Sequence, residues 1–330
     1  MQIGILGAGA FGSALAKNLA FSKAKHSITL YCFEKEVAAN INKNHVNNLY
    51  LPRISLPQNI TATSLINDLY NSEVILLTIP VKYVRSTLQQ LTSYPKNTPL
   101  IICSKGIEHP SGLLVSNIVS EALGNISTCV LTGPSFASEI ANNLTSTLVL
   151  ASNTLDFSKK LINKLSFTNI KLYTSNDIIG CQVGGAIKNI IAIASGIIKG
   201  LNMGHNALAG LITRGLNEIA TTITAYGGNP KTAYGLSGLG DLVLTATSSE
   251  SRNFSLGLSI AKNGGYTQEL QKDKLGIAEG VFTTEAIYNF SQSHKLYLPI
   301  CQEIYKILYC NKNPNNSISD ILDSNIKSEF

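Results

Sequence analysis

What the sequence has little of excludes several classes of protein. Charged residues make up only 14% of the chain, while 44% is hydrophobic, a balance typical of a compact folded protein rather than a disordered one. Lysine and arginine form no runs and are not interleaved with aromatic residues, so we expect no nucleic-acid partner. The net charge of +6 would favour an anionic substrate, but many proteins carry such a charge for solubility alone.

Long hydrophobic runs are also missing. The longest apolar stretch, around residues 186–198, contains Lys188 and Asn189 and falls short of the roughly 20 residues that cross a bilayer. No basic segment precedes an apolar one at the N-terminus, which leads directly into Gly7-Ala8-Gly9; we therefore expect no signal peptide. These absences predict a cytoplasmic protein that does not insert into a membrane.

Cysteine pairs are the third absence. The six cysteines are dispersed along the chain and none forms a C-x-x-C pair. This pattern favours reduced thiols over a disulfide framework or a zinc site. We expect no metal ion.

Two kinds of local pattern divide the chain, which is long enough for two domains. Up to about residue 175, helix-length stretches alternate with short strand-like runs: QIGIL, SITLYCF, EVILLTI, LIICS, CVLTG and STLVLAS. The helical candidates are Ala10–Ala20, Lys82–Leu91 and Gly112–Leu123. This alternation predicts an α/β domain with a doubly wound, mostly parallel sheet.

The second half of the chain shows helix-length segments instead. They are Asp177–Leu201, His205–Tyr226, Asn253–Asn263, Thr283–Ser293 and Pro299–Cys310. We therefore predict an all-helical C-terminal domain and place the boundary at residue 178, which gives domains 1–178 and 179–330. The tail after Asn311 is rich in Asn and Ser, and we expect it to lie on the surface.

A glycine-rich motif follows the first strand-like run. Gly7, Gly9 and Gly12 fit G-x-G-x-x-G, and a small-residue helix follows. Gly7 would allow the tight turn, Gly9 the close approach of a pyrophosphate, and Gly12 tight packing of the helix against the strand. The context predicts a Rossmann domain that binds NAD or NADP; the alternative is a tight turn without a ligand.

The end of the second strand bears on the choice between the two cofactors. An acidic residue about 20 residues beyond the motif accepts a hydrogen bond from the adenosine ribose in NAD enzymes, and Glu34 stands there. Phe33 could stack on adenine, while Lys35 could reach a 2′-phosphate. The same residues could also form a solvated charged turn, so the sequence leaves this choice open.

Lys188 is unusual because it stands in an apolar helix. Helical spacing places five residues on its face, of which all but Ile191 are small: Gly184, Gly185, Ile191, Ala192 and Ser195. This leaves room for another helix or a small ligand. A lysine shielded from water can exchange a proton near neutral pH. The alternative is a lysine whose amine extends to solvent over tightly packed helices.

Further candidates lie in YGLSGLGDLVLTATSSESRNFSLG, which contains Asp241, Thr245 and the helix start Ser251-Arg252-Asn253. Arginine suits bidentate contact with phosphate, and a helix N-terminus adds amide donors. Ser251 could instead be a helix cap and Asp241 the end of a loop.

Three more candidates follow strand-like runs, at the sheet edge where doubly wound folds bind ligands. They are Lys105 in CSKGIE, the stretch Gly133 to Ala137 in TGPSFASE, and Pro80 after EVILLTI. For Lys105, a surface turn is the alternative to a ligand contact.

Taken in order, these motifs resemble the bacterial NAD(P)-dependent sn-glycerol-3-phosphate dehydrogenase family. The resemblance covers roughly residues 3–310 and rests on GAGAFGSALA, SKGIE, TGPSFASE, GGAIKNIIAIASGI, LITRGLNEI, GLSGLGDLVLT, SRN and AEG. It implies reversible reduction of dihydroxyacetone phosphate to sn-glycerol 3-phosphate for phospholipid synthesis, NADPH as the usual cofactor, and a homodimer.

The resemblance also assigns roles to residues of this chain. Lys188 would donate the proton to the ketone oxygen, Lys105 would polarise the carbonyl, and Asp241 and Thr245 would orient Lys188 and the substrate. The implied substrate contacts are Lys105, Gly133, Ser135, Lys188, Asp241, Ser251, Arg252 and Asn253. The implied cofactor contacts are Gly7, Gly9, Ala10, Phe11, Gly12, Phe33, Pro80, Lys105, Ala137, Arg252, Ile277 and Glu279.

One position departs from the family pattern, and two other classes of function are alternatives. Many bacterial members carry Arg or His where Phe33 stands, so an expected partner for the 2′-phosphate is missing and the NADP assignment is weakened. The rivals are a 3-hydroxyacid or ketopantoate reductase and a silent dinucleotide sensor. The SRN and GLGDLVLT segments favour a phosphorylated substrate over the reductases, and the presence of Lys105, Lys188 and Asp241 disfavours a sensor.

Overall fold

The computed structural model describes residues 1–271 and 278–323. The chain divides into two compact units: Met1–Lys105 with Leu114–Cys181 forms unit 1, and Gly106–Leu113 with Gln182–Phe330 forms unit 2. The division therefore differs from two continuous ranges meeting at residue 178, because an eight-residue segment inside the first half belongs to unit 2.

Unit 1 is built on a sheet whose strands come from alternating β and α segments. The strands of the unit are β1 (Gln2–Leu6), β2 (Ser27–Tyr31), β3 (Val46–Asn47), β4 (Leu51–Ser55), β5 (Ile60–Thr63), β6 (Val74–Leu77), β7 (Leu100–Ile102), β8 (Thr128–Thr132), β9 (Ser146–Ser152) and β10 (Ile170–Ser175). Eight of them form one sheet in the order β10-β9-β8-β7-β6-β1-β2-β5, while β3 and β4 pair separately as an antiparallel hairpin. Every neighbouring pair in the large sheet is parallel except β8 with β9, which confirms the predicted doubly wound, mostly parallel sheet.

The register of the central strands places the candidate cofactor residues side by side. Leu6 pairs with Tyr31 of β2 and with Leu77 of β6, so the carboxyl ends of three neighbouring strands are aligned. The glycine motif, the segment after Tyr31 and the segment after Leu77 consequently leave the sheet at the same edge. Strands β6 and β7 are buried throughout, as expected for a sheet covered on both faces.

The helices of unit 1 follow the strands in alternation. They are α1 (Ala10–Ala20), α2 (Lys35–Asn44), α3 (Val81–Leu88), α4 (Val115–Leu123), α5 (Ala137–Ala141) and α6 (Leu155–Leu165). Helix α1 has the predicted bounds. Its small residues Gly12, Ala14 and Ala16 are buried, which lets the helix lie close to the sheet.

Unit 2 is helical, and its described residues contain no strand. Its helices are α7 (Ile178–Gly200, which begins at the end of unit 1), α8 (Gly204–Ala225), α9 (Asp241–Thr247), α10 (Arg252–Asn263), α11 (Glu279–Ser293), α12 (Pro299–Tyr309) and α13 (Pro314–Asp323). Helices α7 and α10 cross at two glycines: a Cβ on Gly257 would lie 2.1 Å from the carbonyl oxygen of Ile193, and one on Gly196 would lie 2.0 Å from that of Phe254.

Two expectations concern helix α7 and the tail of the chain, and only the second was wrong. Helix α7 has 23 residues, in agreement with the predicted segment Asp177–Leu201; by length and composition alone it could cross a membrane, and 89% of its most apolar window is buried inside the protein. The tail after Asn311 is not simply surface: α13 carries Ile318 and Ile321, both fully buried, because two isoleucines three residues apart form an apolar stripe in an otherwise polar segment.

Candidate active site

The Lys188 amine is at the centre of a buried polar cluster in unit 2. Lys188 Nζ donates to Asp241 Oδ1 at 2.6 Å and to Thr245 Oγ1 at 2.8 Å. The side chains of Lys188 and Asp241 are 8% and 1% exposed, so the amine does not extend to solvent. A charged pair shielded from water interacts strongly, and losing one partner would leave the other charge uncompensated.

Local sequence explains how these residues come together. Asp241 is the first residue of α9, and Thr245 follows one helical turn later on the same face. A single π-helical turn, Leu236–Gly240, leads into α9. It fits against α7 because a Cβ on Gly184 would lie 2.7 Å from the carbonyl oxygen of Ser237. The room beside Lys188 is thus taken, at this point, by another helical segment.

Asn189 belongs to the same region and was not among the predicted residues. Its Oδ1 accepts from Asn253 Nδ2 at 3.0 Å, and Asn253 Oδ1 accepts from the backbone N–H of Gly280 at 3.0 Å. This chain of amides ties α7 to α10 and α11. The signal in the sequence was a second polar residue beside Lys188 in an apolar helix.

The remaining predicted residues of unit 2 lie at helix starts. Ser251 Oγ caps α10 by accepting from the N–H of Phe254 at 3.2 Å, the alternative named for it above, and Arg252 is the exposed first residue of that helix. Glu279 is the first residue of α11. Ile277 lies outside the described residues.

The glycine motif of unit 1 has the shape of a phosphate-binding loop. Gly7 has φ +127°, which favours glycine, and a Cβ on Gly12 would lie 2.0 Å from the carbonyl oxygen of Gly7. A Cβ on Gly9 would meet nothing within 4 Å, so space remains beside the start of α1. Ala10 and Phe11 form that start, where the first turn has no acidic residue. Backbone amides and open space fit the pyrophosphate of a dinucleotide.

Two more predicted cofactor residues lie at the aligned strand ends. Phe33 follows β2 and is 83% exposed, a conformation in which its ring is available for stacking. Pro80 follows β6 and precedes α3 as its cap residue. Thr78, the residue after β6, donates from its Oγ1 to the carbonyl oxygen of Gly7 at 2.8 Å and so fixes the glycine loop to the end of that strand.

A third group in unit 1 forms around one carbonyl. Lys105 Nζ donates to the carbonyl oxygen of Gly133 at 3.0 Å, and Ser135 Oγ donates to the same oxygen at 2.9 Å. Gly133 has φ +132°, and Ala137 begins α5 a few residues later. Lys105 and Ser135 therefore meet at the carbonyl oxygen of Gly133, close to the start of α5.

The cysteines near these strand ends are not arranged for nucleophilic chemistry. Burial raises the pKa of Cys32 to about 12 and raises the pKa of Cys103 well above its usual range. Both thiols therefore stay protonated near neutral pH. In the described parts of the chain, no group of three or more His, Cys, Asp or Glu side chains could hold a metal ion.

The fold and these groups define a class of protein. A doubly wound sheet with a glycine-rich phosphate loop, together with a buried lysine–carboxylate pair in a helical unit, is typical of the dinucleotide-dependent dehydrogenases.

Comparison with known proteins identifies the family. Residues 2–158 match the model for the N-terminus of NAD-dependent glycerol-3-phosphate dehydrogenase, and residues 177–319 match the model for its C-terminus. The chain belongs to the NAD-dependent glycerol-3-phosphate dehydrogenase family. This membership separates it from the 3-hydroxyacid and ketopantoate reductases weighed above.

Individual relatives agree over their full length. The chain is 38% identical to a glycerol-3-phosphate dehydrogenase (NAD(P)+) of Zymomonas mobilis, covering 100% of this chain and 95% of that protein. It is 42% identical to the protein of the same name from Ehrlichia canis, covering 98% and 100%. The crystal structure of glycerol-3-phosphate dehydrogenase from Coxiella burnetii superposes with a TM-score of 0.92 at 34% identity, covering 98% of each chain.

Proposed function

We propose that this protein catalyses the reversible reduction of dihydroxyacetone phosphate to sn-glycerol 3-phosphate with NAD(P)H, and that the product supplies phospholipid synthesis. The observation that carries the proposal is the buried contact of Lys188 with Asp241 and Thr245 in a chain that matches the family from end to end. A silent dinucleotide sensor would have no use for a buried, charged cluster.

Lys188 is the proposed general acid. In the reducing direction its ammonium gives a proton to the ketone oxygen while that oxygen gains negative charge; in the other direction the neutral amine takes the proton back from the hydroxyl. Asp241 stabilises the ammonium, and Thr245, which accepts from Nζ and lies 3.4 Å from Asp241 Oδ1, limits its rotation. The pair thereby sets the direction in which Lys188 presents its proton.

Most of the proposed cofactor residues belong to unit 1. The loop of Gly7, Gly9 and Gly12 would hold the pyrophosphate with the amides of Ala10 and Phe11, and Phe33 would cover the adenine. NAD(P)H, when bound, supplies the hydride that reduces the carbonyl carbon. Pro80, Ala137, Arg252, Ile277 and Glu279 are proposed as further cofactor contacts by their match to the family motifs.

The substrate contacts are proposed on the same ground. Lys105 is proposed to polarise the carbonyl, and its hydrogen bond to Gly133 keeps the amine at the end of β7. Ser135 and the segment Ser251-Arg252-Asn253 are the proposed contacts for the rest of the substrate, with Arg252 toward the phosphate. The Asn253 amide, which joins Asn189 to Gly280, would act mainly by holding α10 in place.

At the level of the whole protein, we propose domains 1–178 for dinucleotide binding and 179–330 for substrate binding, with Gly106–Leu113 joined to the second. We further propose that the protein is a cytoplasmic homodimer that acts on a small molecule, uses no metal and binds no nucleic acid. Sedimentation of the purified protein tests the oligomeric state.

The first experiment follows dihydroxyacetone-phosphate-dependent oxidation of NADH and of NADPH by the nicotinamide absorbance. We expect oxidation of at least one of them. If both bind but neither is oxidised, the substrate assignment is wrong and the dinucleotide-binding fold is retained, which is the outcome that a sensor would give.

The role of Lys188 is tested by Lys188→Ala, which we expect to lose turnover by several orders of magnitude while NAD(P)H binding is kept. Lys199→Ala, an exposed position in the last turn of the same helix, is the control. Because the buried Asp241 carboxylate would lose the charge of Lys188, the double variant Lys188→Met/Asp241→Asn should recover stability without recovering turnover. Near-wild-type rates in any folded Lys188 variant would remove it from proton transfer.

A further inference from the structure

The choice between NAD(H) and NADP(H), which the sequence left open, has a structural counterpart at the end of β2. Glu34 is the cap residue that precedes α2. Its Oε1 accepts a hydrogen bond from the hydroxyl of Tyr50 at 2.7 Å. Within residues 1–271 and 278–323, no other hydrogen bond or ion pair engages this carboxylate. One carboxylate oxygen is thus held in place and Oε2 remains able to accept.

Asn47 connects Tyr50 to the glycine loop by hydrogen bonds. Its backbone N–H donates to Asn47 Oδ1 at 3.2 Å. Asn47 is 1% exposed, and its Nδ2 donates to the carbonyl oxygen of Ala8 at 2.7 Å and to Ser13 Oγ at 2.8 Å. The hairpin of β3 and β4 therefore connects the phosphate loop and α1 to Glu34 through an unbroken set of hydrogen bonds.

This connection fixes a carboxylate where the adenosine ribose belongs. In a dinucleotide whose pyrophosphate lies at the start of α1, the ribose reaches the end of the second strand. Glu34 Oε2 can accept from a ribose hydroxyl there. Burial and the hydrogen bond to Glu34 raise the pKa of Tyr50 to about 12, so its proton stays on the hydroxyl and remains committed to the carboxylate.

A 2′-phosphate would meet unfavourable conditions at the same point. It carries close to two negative charges at neutral pH and would approach a carboxylate of like sign. The Tyr50 hydroxyl already donates to Glu34. The positive charge that could oppose this repulsion is that of Lys35, which is exposed and begins α2; Arg53 lies on the same hairpin and is also exposed.

We propose that the Glu34–Tyr50 pair makes this protein select NAD(H) over NADP(H), with Asn47 as a positioning residue. This inference rests on the proposed function only for the identity of the ligand class. In this proposal the Glu34 carboxylate, held by Tyr50, discriminates between the two cofactors when they bind. The test therefore does not need turnover.

The test is titration of the purified full-length protein with NADH and with NADPH, followed by nicotinamide fluorescence and by calorimetry. We expect NADH to bind at least about tenfold more tightly, which corresponds to about 1.4 kcal/mol. Equal affinities, or tighter binding of NADPH, overturn the proposal and leave the dehydrogenase assignment standing. If neither binds, both fail.

Substitutions test whether Glu34 and Tyr50 cause the preference for NADH. Glu34→Gln keeps an acceptor for Tyr50 but removes the charge, so NADPH affinity should rise several-fold and the preference should largely disappear. Tyr50→Phe should reduce the preference without reversing it. Glu36→Gln, which makes the same charge change at an exposed position two residues away, is the matched control and should change neither affinity. Circular dichroism and thermal melts confirm that each variant is folded.

Lys35→Ala distinguishes the effect of the Lys35 charge from that of the Glu34 charge. If the pair selects, this variant should retain or increase the preference for NADH, since a cation that could attract a 2′-phosphate has been removed. If instead Glu34→Gln leaves the ratio of the two affinities unchanged while Lys35→Ala alters it, the selecting residue is Lys35 and the proposal is wrong.

Discussion

Gly9 and Gly12 are three residues apart in one loop, yet their missing side chains serve different purposes. At Gly12 a Cβ would lie 2.0 Å from the Gly7 carbonyl oxygen and 2.6 Å from Thr78 Oγ1, so the protein itself occupies the space. At Gly9 a Cβ would meet nothing within 4 Å, and its φ of −64° suits any residue. The fold therefore requires glycine at position 12, whereas no protein atom excludes a side chain at position 9.

This difference predicts opposite effects of the same substitution. Gly12→Ala should lower the free energy of unfolding by about 1–3 kcal/mol, because backbone atoms must move to admit the methyl group. Gly9→Ala should leave stability unchanged or slightly raised, but weaken NADH binding by at least about tenfold, since the methyl group enters the space for the pyrophosphate. Denaturant unfolding and nicotinamide fluorescence measure the two effects; a stable Gly12→Ala protein, or a Gly9→Ala protein with unchanged affinity, would contradict them.

At this scale the sequence indicated residue types well and their partners poorly. The glycine spacing, Lys188 and Asp241 could be picked out because each is unusual in its local context. The 2.6 Å contact between Lys188 and Asp241 joins residues on different helices, and their distance depends on how those helices cross. For the same reason Asn189 was overlooked, although its amide lies in the network that contains Asn253.

Helices α7 and α10 can pack closely because each has a glycine where they cross. At Gly257 and Gly196 a Cβ would lie 2.1 Å and 2.0 Å from a carbonyl oxygen of the opposite helix, much closer than non-bonded atoms can approach. The close approach places the start of α10, with Ser251 and Arg252, in a fixed position relative to Lys188 on α7.

We expect Gly257→Ala to destabilise the protein by about 1–3 kcal/mol, because the contacts are with backbone atoms that cannot rotate away. Gly210→Ala is the matched control: it lies within α8, is exposed, and a Cβ there would meet nothing within 4 Å. That variant should gain about 0.5–1 kcal/mol from helix propensity. Equal denaturation midpoints for the two variants would show that the helices can separate without cost.

Glu218 of α8 holds the start of another helix. Its Oε1 accepts from the N–H of Ile300 at 2.6 Å and its Oε2 from that of Cys301 at 3.0 Å, which satisfies two amides at the start of α12. The carboxylate is almost fully buried, and this burial raises the pKa of Glu218 from 4.5 to about 7, although the two amides and Arg214 oppose the change.

The raised pKa predicts a pH dependence of unusual sign for a carboxylate. Between about pH 4.5 and 7, the folded protein keeps a proton on Glu218 that the unfolded chain has released. The stability that this group contributes therefore falls as the pH rises through that window, by at most about 1.4 kcal/mol per pH unit. Glu218→Gln should lack this pH dependence, so the free energy of unfolding of the wild type minus that of the variant should fall from pH 5 to 7.5. If the two free energies of unfolding change in parallel with pH, the prediction is wrong.

Element by element, periodicity identified the long segments and missed the short ones. Helices α1, α7, α8 and α10 were predicted to within about a residue, since each carries a sustained apolar stripe. The β3–β4 hairpin was missed because LPRIS, the sequence of β4, contains a proline and an arginine and is mostly exposed. That hairpin carries Asn47 and Tyr50, so the two residues that we propose to position Glu34 were missed with it.

Across the whole molecule, the six cysteines differ sharply in exposure. Five are buried, and Cys310 at the end of α12 is exposed; all six are free thiols. Burial also raises the pKa of Cys129 to about 12 and that of Cys301 well above its usual range.

Titration with a disulfide reagent should therefore find about one rapidly reacting thiol in the native protein and six after denaturation. Cys310→Ser should remove the fast reaction and leave stability unchanged. Rapid reaction of several thiols in the native state would mean that the strands and helices carrying them open readily.

Composition and alternation were enough to predict two structural units, one α/β and one helical. They could not predict the order of the strands. In the sheet β1 lies between β2 and β6, an arrangement that depends on how the successive crossover connections pack. The assignment of Gly106–Leu113 to the helical unit could not be predicted either, since these residues lie between a strand and a helix of the other unit and carry no periodic pattern.

That octapeptide has a consequence for how the protein is made and how it can be cut. On the ribosome, Gly112 and His109 emerge more than a hundred residues before Tyr226, whose hydroxyl donates to the Gly112 carbonyl at 3.0 Å, and Glu285, which lies 3.5 Å from His109. A stop codon after Cys181 would therefore release a nucleotide-binding half that carries eight residues of its neighbour, including the apolar Ile107. A version of unit 1 without these eight residues would join Lys105 directly to Leu114.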